Sequence, residues 1–450
     1  MAQCLLVEER EKISALYSLN LRVYTGLDVI RKVDLEGAIE LLKVVSEIDI
    51  IVVKRQIGHE QTAVKLYEYV ESLDLPIPIV VIGFEKKLKG KVKMLETAGN
   101  MKILITTVAK ILGITARQMA NQPLPHYYHV PLKYLLQMTS SNCDIFIKIS
   151  RKDTSPQYIK ILRKDEKFNF TKNILTKYLD KGIEDFYILS ILRIRFVKCF
   201  TSQVVSKIHE EDLSMKDRLK ITEVSLDFVS KEILSDELSE EVVTMAKAGV
   251  YSMIRFTEES GVSELKEILL AFIKEKTSFR YQLAQLITFL ACHSISKMDW
   301  GTKEQQQKIG YVAFFHDILL NSDKLAMIFH DEELEEAGFS NEEKKLVRNH
   351  AVWTLEYLDC YPKTPFGANI LIKQHHGAVN GVGFSKTFSS RLSPLAIVFI
   401  ASEHYAREIL RFQKENFKFI HFDIVRKLDK VLMEKVKYRK VIETFQQIFK

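Results

Sequence analysis

What this 450-residue chain lacks narrows the field before any motif is considered. Its five cysteines (Cys4, Cys143, Cys199, Cys292 and Cys360) are odd in number, widely spaced and free of CxxC pairs. That argues against a disulfide framework and suits reduced thiols in a reducing compartment. No apolar run is long enough to span a bilayer, and the opening "MAQCLLVEER" turns acidic where a signal peptide would stay apolar. The expectation is a cytoplasmic protein with no membrane span. A net charge of +7 is small for this length, so it points to no polyanionic partner. The densest basic run, "KKLKGKVK" (86–93), lacks interleaved aromatics and reads as a solvated face, not a nucleic-acid surface. Internal repeats and low-complexity tracts are absent, and no proline occurs from residue 210 until Pro362.

What is present is a globular composition, 47% hydrophobic and 27% charged. The length suggests about three domains of ~150 residues each. In the first, over 1–120, the apolar runs 4–7, 21–24, 49–53, 78–83 and 101–105 read as buried strands. Amphipathic stretches around 10–19, 35–46 and 58–73 separate the earlier ones, so a parallel sheet covered by helices is expected. The proline-punctuated segment 120–131 reads as a linker. A small α+β module over 126–205 follows, with strands at "CDIFIKIS" (143–150) and "QYIKIL" (157–162), a helix over 171–182 and an apolar run at 185–189. From about 210 to 450 apolar residues recur at three- and four-residue spacing, which predicts an all-α domain ending in amphipathic basic helices over 411–450.

The densest chemistry lies in that last domain. His316-Asp317, His350, His375-His376 within "QHHGAVNGVGF" (374–384) and His404 hold most of the six histidines found between 316 and 404, out of 12 in the chain. Imidazoles with one carboxylate are the donors of iron, manganese and zinc sites, and a carboxylate can bridge two ions. Each residue taken alone has a plain reading as well. His316-Asp317 suits a hydrogen-bonded helix end, and His404 suits a surface helix beside Glu403. His293, in "FLACHSI", suits a core histidine, and His330-Asp331, in an acidic run, suits a solvated pair.

The element order of the first domain resembles the receiver domain of response regulators. In that family an Asp ending the third strand accepts a phosphoryl group, and acidic residues after the first strand hold magnesium. Here Glu8 and Glu9 follow the first strand, but Lys54 ends the third and Gly83 ends the fourth, with Thr106 expected at the end of the fifth. An ammonium cannot form an acyl phosphate, so the resemblance implies the fold without phosphotransfer. An unrelated small α/β domain is the other reading.

The sequence His-Asp, then His, then "HHxxxxGxGF", then an apolar helix after "SPLA", resembles the HD-GYP subgroup of HD metal-dependent phosphohydrolases over roughly 215–410. The resemblance implies two or three metal ions and hydrolysis of cyclic di-GMP by metal-activated water. Carried over residue by residue, it makes His316, Asp317, His350, His375 and His376 metal ligands, with Asp317 the bridging and catalytic carboxylate. His404 stands where the family has an Asp and is the sixth expected metal ligand, a different residue but still a donor. The departures are Leu283 at the family's first His, Leu320 at a Lys, Gly377 at a Glu, Asn380 at an Asp, Phe384 at a Tyr and Ser385 at a Pro. They point to a divergent, catalytically degenerate member that acts as a regulatory or interaction module in bacterial cyclic di-GMP signalling. Such a member would hold one or two divalent transition-metal ions, iron or manganese, or none. Cyclic di-GMP or a signalling protein is its expected partner, with a homodimer left open. An active phosphodiesterase with altered ligands is the alternative, and a scaffold without metal is the third option.

Overall fold

The computed structural model describes the chain except for residues 1, 46–47, 96–100, 116–117, 119–126, 150–156, 165–174, 176, 179–182, 184, 236–238, 262–264, 359–363, 386–391, 415–438, 442 and 446–450. Two compact units result. The first is Met1–Pro125 with Glu232–Ser239 and Glu356–Tyr361; the second is His126–Lys231, Glu240–Leu355 and Pro362–Lys450.

In the first unit strands β1 (Gln3–Val7), β2 (Asp28–Lys32), β3 (Ile50–Lys54), β4 (Ile79–Ile82) and β5 (Lys93–Leu95) form one parallel sheet in the order β2-β1-β3-β4-β5. Helices α1 (Glu11–Thr25), α2 (Leu35–Val44), α3 (Thr62–Ser72) and α4 (Met101–Ile111) complete it, α1 packing with α4 and α2 with α3. That pairing and strand order define a doubly wound fold, whose functional crevice lies beyond the C-terminal ends of the strands. The central strands are buried on both faces, as β3 "IIVVK" and β4 "IVVI" illustrate, which is why they read as continuous apolar runs. Each buried Ile, Leu or Val contributes about 1.5–3 kcal/mol.

Two strand expectations are corrected. Residues 21–24 belong to α1, whose buried residues Ile13, Tyr17, Leu21 and Thr25 recur every four positions; the second strand begins only after Gly26 closes the helix with φ 70°. Residues 101–105 open α4, with Leu104 and Val108 buried and Ile103 exposed. The fifth strand is the short, half-polar "KML" of β5. Thr106 therefore stands on a helix, its hydroxyl donating to the Ile103 carbonyl at 3.1 Å. Four or five apolar residues do not separate a strand from one face of a helix.

The second unit carries a four-stranded antiparallel sheet, β6 (Tyr127–Pro131), β7 (Ile145–Ile149), β8 (Gln157–Leu162) and β9 (Asp185–Leu189), in the order β6-β9-β7-β8. The segment 127–131, expected as linker, is thus a strand; 120–126 and most of the helix expected over 171–182 lie outside the described residues. The helical part comprises α5 (Arg193–Ile208), α6 (Met215–Ser235), α7 (Glu240–Glu259), α8 (Leu265–Glu275), α9 (Phe279–Ser296), α10 (Lys303–Phe315), α11 (Asn341–Leu358), α12 (Ala368–Gln374) and α13 (Pro394–Lys414). Much of the basic C-terminal segment over 411–450 also lies outside the described residues. No helix among the described residues is long and apolar enough to cross a membrane.

α9 is buried nearly all round, as a central core helix is, and packs against α7, α10 and α13. α10 starts in a capping box, Thr302 with Gln305, and crosses α7 closely. At that crossing a Cβ added to Gly249 would lie 2.6 Å from the ring of the buried Phe314. Gly249→Ala should therefore destabilise the helical unit. Overpacking of this kind costs about 1–3 kcal/mol, against roughly 1 kcal/mol gained from helix propensity. Denaturant midpoints decide it, and an unchanged or raised midpoint would remove the close-approach argument.

Candidate metal centre

His316 and Asp317 follow directly on α10, so an apolar, fully buried helix end delivers them to the interior. His350 lies mid-way along α11. His375 and His376 follow α12, whose chain then turns at Gly377, Gly381 and Gly383, with φ of 77°, 78° and 67°. The turn folds back on α11 through the Gly383 amide, which donates to the Arg348 carbonyl at 2.7 Å. A Cβ at Gly381 would lie 2.8 Å from Lys373 and 3.0 Å from Val352, so the loop closes only around glycine. His316, Asp317, His350, His375 and His376 are all buried.

Three of these rings share one constraint. The Nδ1 atoms of His316, His350 and His375 lie 2.9, 2.6 and 2.6 Å from the carbonyls of Ala313, Val347 and Ile372. A carbonyl only accepts, so each Nδ1 carries the proton and, in the neutral ring, each Nε2 presents a bare lone pair. Those lone pairs converge. His350 Nε2 lies 3.0 Å from His375 Nε2, 3.2 Å from His376 Nε2 and 3.2 Å from Asp317 Oδ1. The bare Nε2 atoms of His350 and His375, 3.0 Å apart, repel unless a proton or a metal cation sits between them. Donors bound to one ion at about 2.1 Å lie about 3.0–3.4 Å apart, so the observed spacing fits a single transition-metal ion. One donor atom from each of Asp317, His350, His375 and His376 falls within 4.8 Å of the other three.

The electrostatics fit the same use. Burial, reinforced by the neighbouring imidazoles, holds His375 and His376 well below the ordinary imidazole range, so both are neutral donors at neutral pH. Burial opposes ionisation of Asp317, but His316, His350 and Arg407 together hold its carboxyl well below the usual carboxylate range.

His404 is not brought into this group; its ring meets Phe329 edge-on at 4.5 Å. One residue along a helix is a turn of about 100°, and the residue that α13 aims inward is Glu403. It is fully buried, and its Oε1 accepts from Arg407 Nε at 3.0 Å and Nη2 at 2.8 Å. Its Oε2 has no hydrogen-bond partner. Burial raises the Glu403 carboxyl, with Arg407 and His316 acting the other way. Sequence reasoning missed both Glu403 and Arg407. Their one signal was the i, i+4 spacing of opposite charges in the apolar helix "ASEHYAREIL". Leu283 and Leu320 are core residues at 0% and 2% exposure, and offer the centre no donor.

The first unit has its own candidate position, at the C-terminal ends of β1 and β3. Glu8 is buried and held by Arg10, with Nε to Oε1 and Nη2 to Oε2 both at 2.8 Å. Burial opposes ionisation of Glu8, but Arg10 above all keeps its carboxyl below the usual range. Lys54 Nζ lies 3.0 Å from Glu9 Oε1 and 3.3 Å from Glu356 Oε1, and Arg10 also donates to Glu356. Both carboxylates that a receiver would offer to magnesium are therefore already paired to side-chain cations.

Two solved structures are similar to the chain. Bd1817, a HDG"Y"P protein from Bdellovibrio bacteriovorus, aligns over 72% of this chain and 99% of its own, at 15% identity and a TM-score of 0.45. The signal receiver domain of a protein described as a Luxo repressor, from Vibrio parahaemolyticus, aligns over 27% of this chain and 98% of its own, at 18% identity and a TM-score of 0.23. No known protein family and no curated protein matches the sequence. At such TM-scores the chemistry rests on the residues themselves.

Two outcomes follow. Manganese(II) at 100 times its Kd should stabilise the second unit by about 2.7 kcal/mol through linkage, and Asp317→Ala should abolish both the bound metal and that gain. Wild type without bound metal, melting identically to the variant, would make these histidines purely structural. Acetyl phosphate or beryllofluoride with magnesium should leave the spectrum and oligomeric state of the protein unchanged. A saturable response that disappears on substitution of Glu8 or Glu9 would contradict the reading of Lys54.

Proposed function

We propose that the chain is a divergent HD-GYP-like regulatory or interaction module of bacterial cyclic di-GMP signalling that retains a metal-binding centre but not hydrolysis. The observation that carries the metal half is the convergence of three imidazole Nε2 atoms and Asp317 Oδ1 within one buried cluster. The order His316-Asp317, His350, His375-His376 and the glycine turn after it support the HD-GYP assignment through the sequence motif. The receiver-like sheet with Lys54 at the acceptor position supports a signalling role that phosphotransfer does not switch. Iron and manganese suit a site of imidazoles and carboxylate.

The loss of hydrolysis is argued from what surrounds the ligands. A metal ion in such a centre supplies a hydroxide at neutral pH and neutralises phosphodiester charge. Turnover also needs a second donor set and cationic or proton-handling groups at the non-bridging oxygens. Leu283 and Leu320 are packed into the core, and Gly377 adopts a φ of 77° that a Glu would reach only with strain. Single losses of this kind cost about 10²–10³ in rate and need not add. Cyclic di-GMP incubated with the manganese- or iron-loaded protein under anaerobic conditions should therefore give no product above the protein-free blank. Robust turnover, lost in His316→Ala, would establish the active phosphodiesterase instead.

A further inference from the structure

The Asp317 carboxylate has two differently occupied sides. Oδ1 faces His350 at 3.2 Å and His375 at 3.8 Å, the cluster that fits an ion. Oδ2 faces His316 Nε2 at 3.3 Å and the guanidinium of Arg407 at 3.6 Å. His316 Nε2 and Glu403 Oε2 are both buried and have no hydrogen-bond partner. Oδ2 and His316 Nε2 are thus two further donor atoms beside the first cluster. They are answered by a protein cation, which also holds the buried Glu403 carboxylate.

Arg407 is fixed there by three partners. Nε and Nη2 donate to Glu403 Oε1, Nη1 donates to the Ala326 carbonyl at 2.7 Å, and the guanidinium plane stacks over Phe329 at 4.5 Å from its centroid. The side chain is 9% exposed. A guanidinium stays charged at every accessible pH, and this one donates from all three of its nitrogens with one face covered by Phe329.

We infer that Arg407 takes the place of a second metal ion on the Oδ2 side of Asp317, so that the centre is mononuclear and its second cation is built into the chain. A divalent ion bound to Oδ2 and His316 Nε2 would sit against the guanidinium, and repulsion between them in a buried site is strong. The inference rests on the metal-centre reading of the Oδ1 side and goes beyond it by fixing the number of ions and the residue that sets it. It also identifies a gain of ion capacity as the consequence of removing one positive charge.

The test counts metal, not activity. Protein stripped by chelator, reloaded with manganese(II) anaerobically and freed of unbound ion should carry one equivalent. Arg407→Met, which keeps volume and removes charge, should carry two, and a coupled dinuclear manganese signal should appear by electron paramagnetic resonance. Arg407→Lys should stay at one. If the Met variant does not fold, Arg407→Gln, which keeps a donor for the Ala326 carbonyl, takes its place. Two equivalents in wild type, or one in every neutral variant that folds, overturns the inference and leaves the metal-centre reading standing. Zero equivalents in wild type overturns both.

Discussion

Three hydrogen bonds organise the second unit's interior: the Nδ1–H groups of His316, His350 and His375 donating to the carbonyls three residues before them. Each bond fixes a tautomer and a ring plane using only the residue's own helix, so no outside partner is needed to orient the ligand. The consequence is that three bare Nε2 atoms are carried inward by α10, α11 and α12 with no proton of their own to share. Buried acceptors facing each other at 3.0 to 3.3 Å would destabilise the fold without positive charge among them. The packing of these helices and the need for a cation are therefore one constraint.

That constraint explains the shape of the surrounding sequence. α9 is apolar almost all round because it is the core against which α7, α10 and α13 lie, and Gly249 lets α7 approach α10 beside Phe314. The glycine turn after His376 closes onto α11 because Gly381 has no room for a side chain against Lys373 and Val352. Substitutions there would move His375 and His376 relative to His350, so they act on the centre without touching it.

The order of the histidines was legible because ligand residues are sparse and chemically distinctive, and five of the six expected ligands meet in one interior. The sixth, His404, is not brought into that cluster. The family pattern selects His404, but α13 turns its Glu403 edge inward, and helix phase is set by the packing of Ser402, Glu403 and Tyr405 in the core. Arg407 stayed hidden because a charged residue in an amphipathic helix ordinarily reads as solvated. In the first unit the continuous apolar strands β1, β3 and β4 were readable, whereas residues 21–24 and 101–105 were too short to betray their helical phase. β5, with one fully buried residue in three, gave no apolar signal at all.

The two units repeat one substitution. At the ends of β1 and β3, Glu8 and Glu9 are answered by Arg10 and Lys54; beside Asp317, Glu403 is answered by Arg407. In both places carboxylates are paired with a side-chain cation. A tethered cation satisfies the buried charge at any ion concentration, which favours the folded state and removes a dependence on metal supply. It cannot, however, acidify a bound water or exchange ligands as a metal does. The exchange of ion for side chain therefore keeps the electrostatic architecture of a chemical site while removing its chemistry. The Oδ1 side of Asp317 differs, because its partners are imidazoles and not a guanidinium or an ammonium, and there the demand for an ion persists.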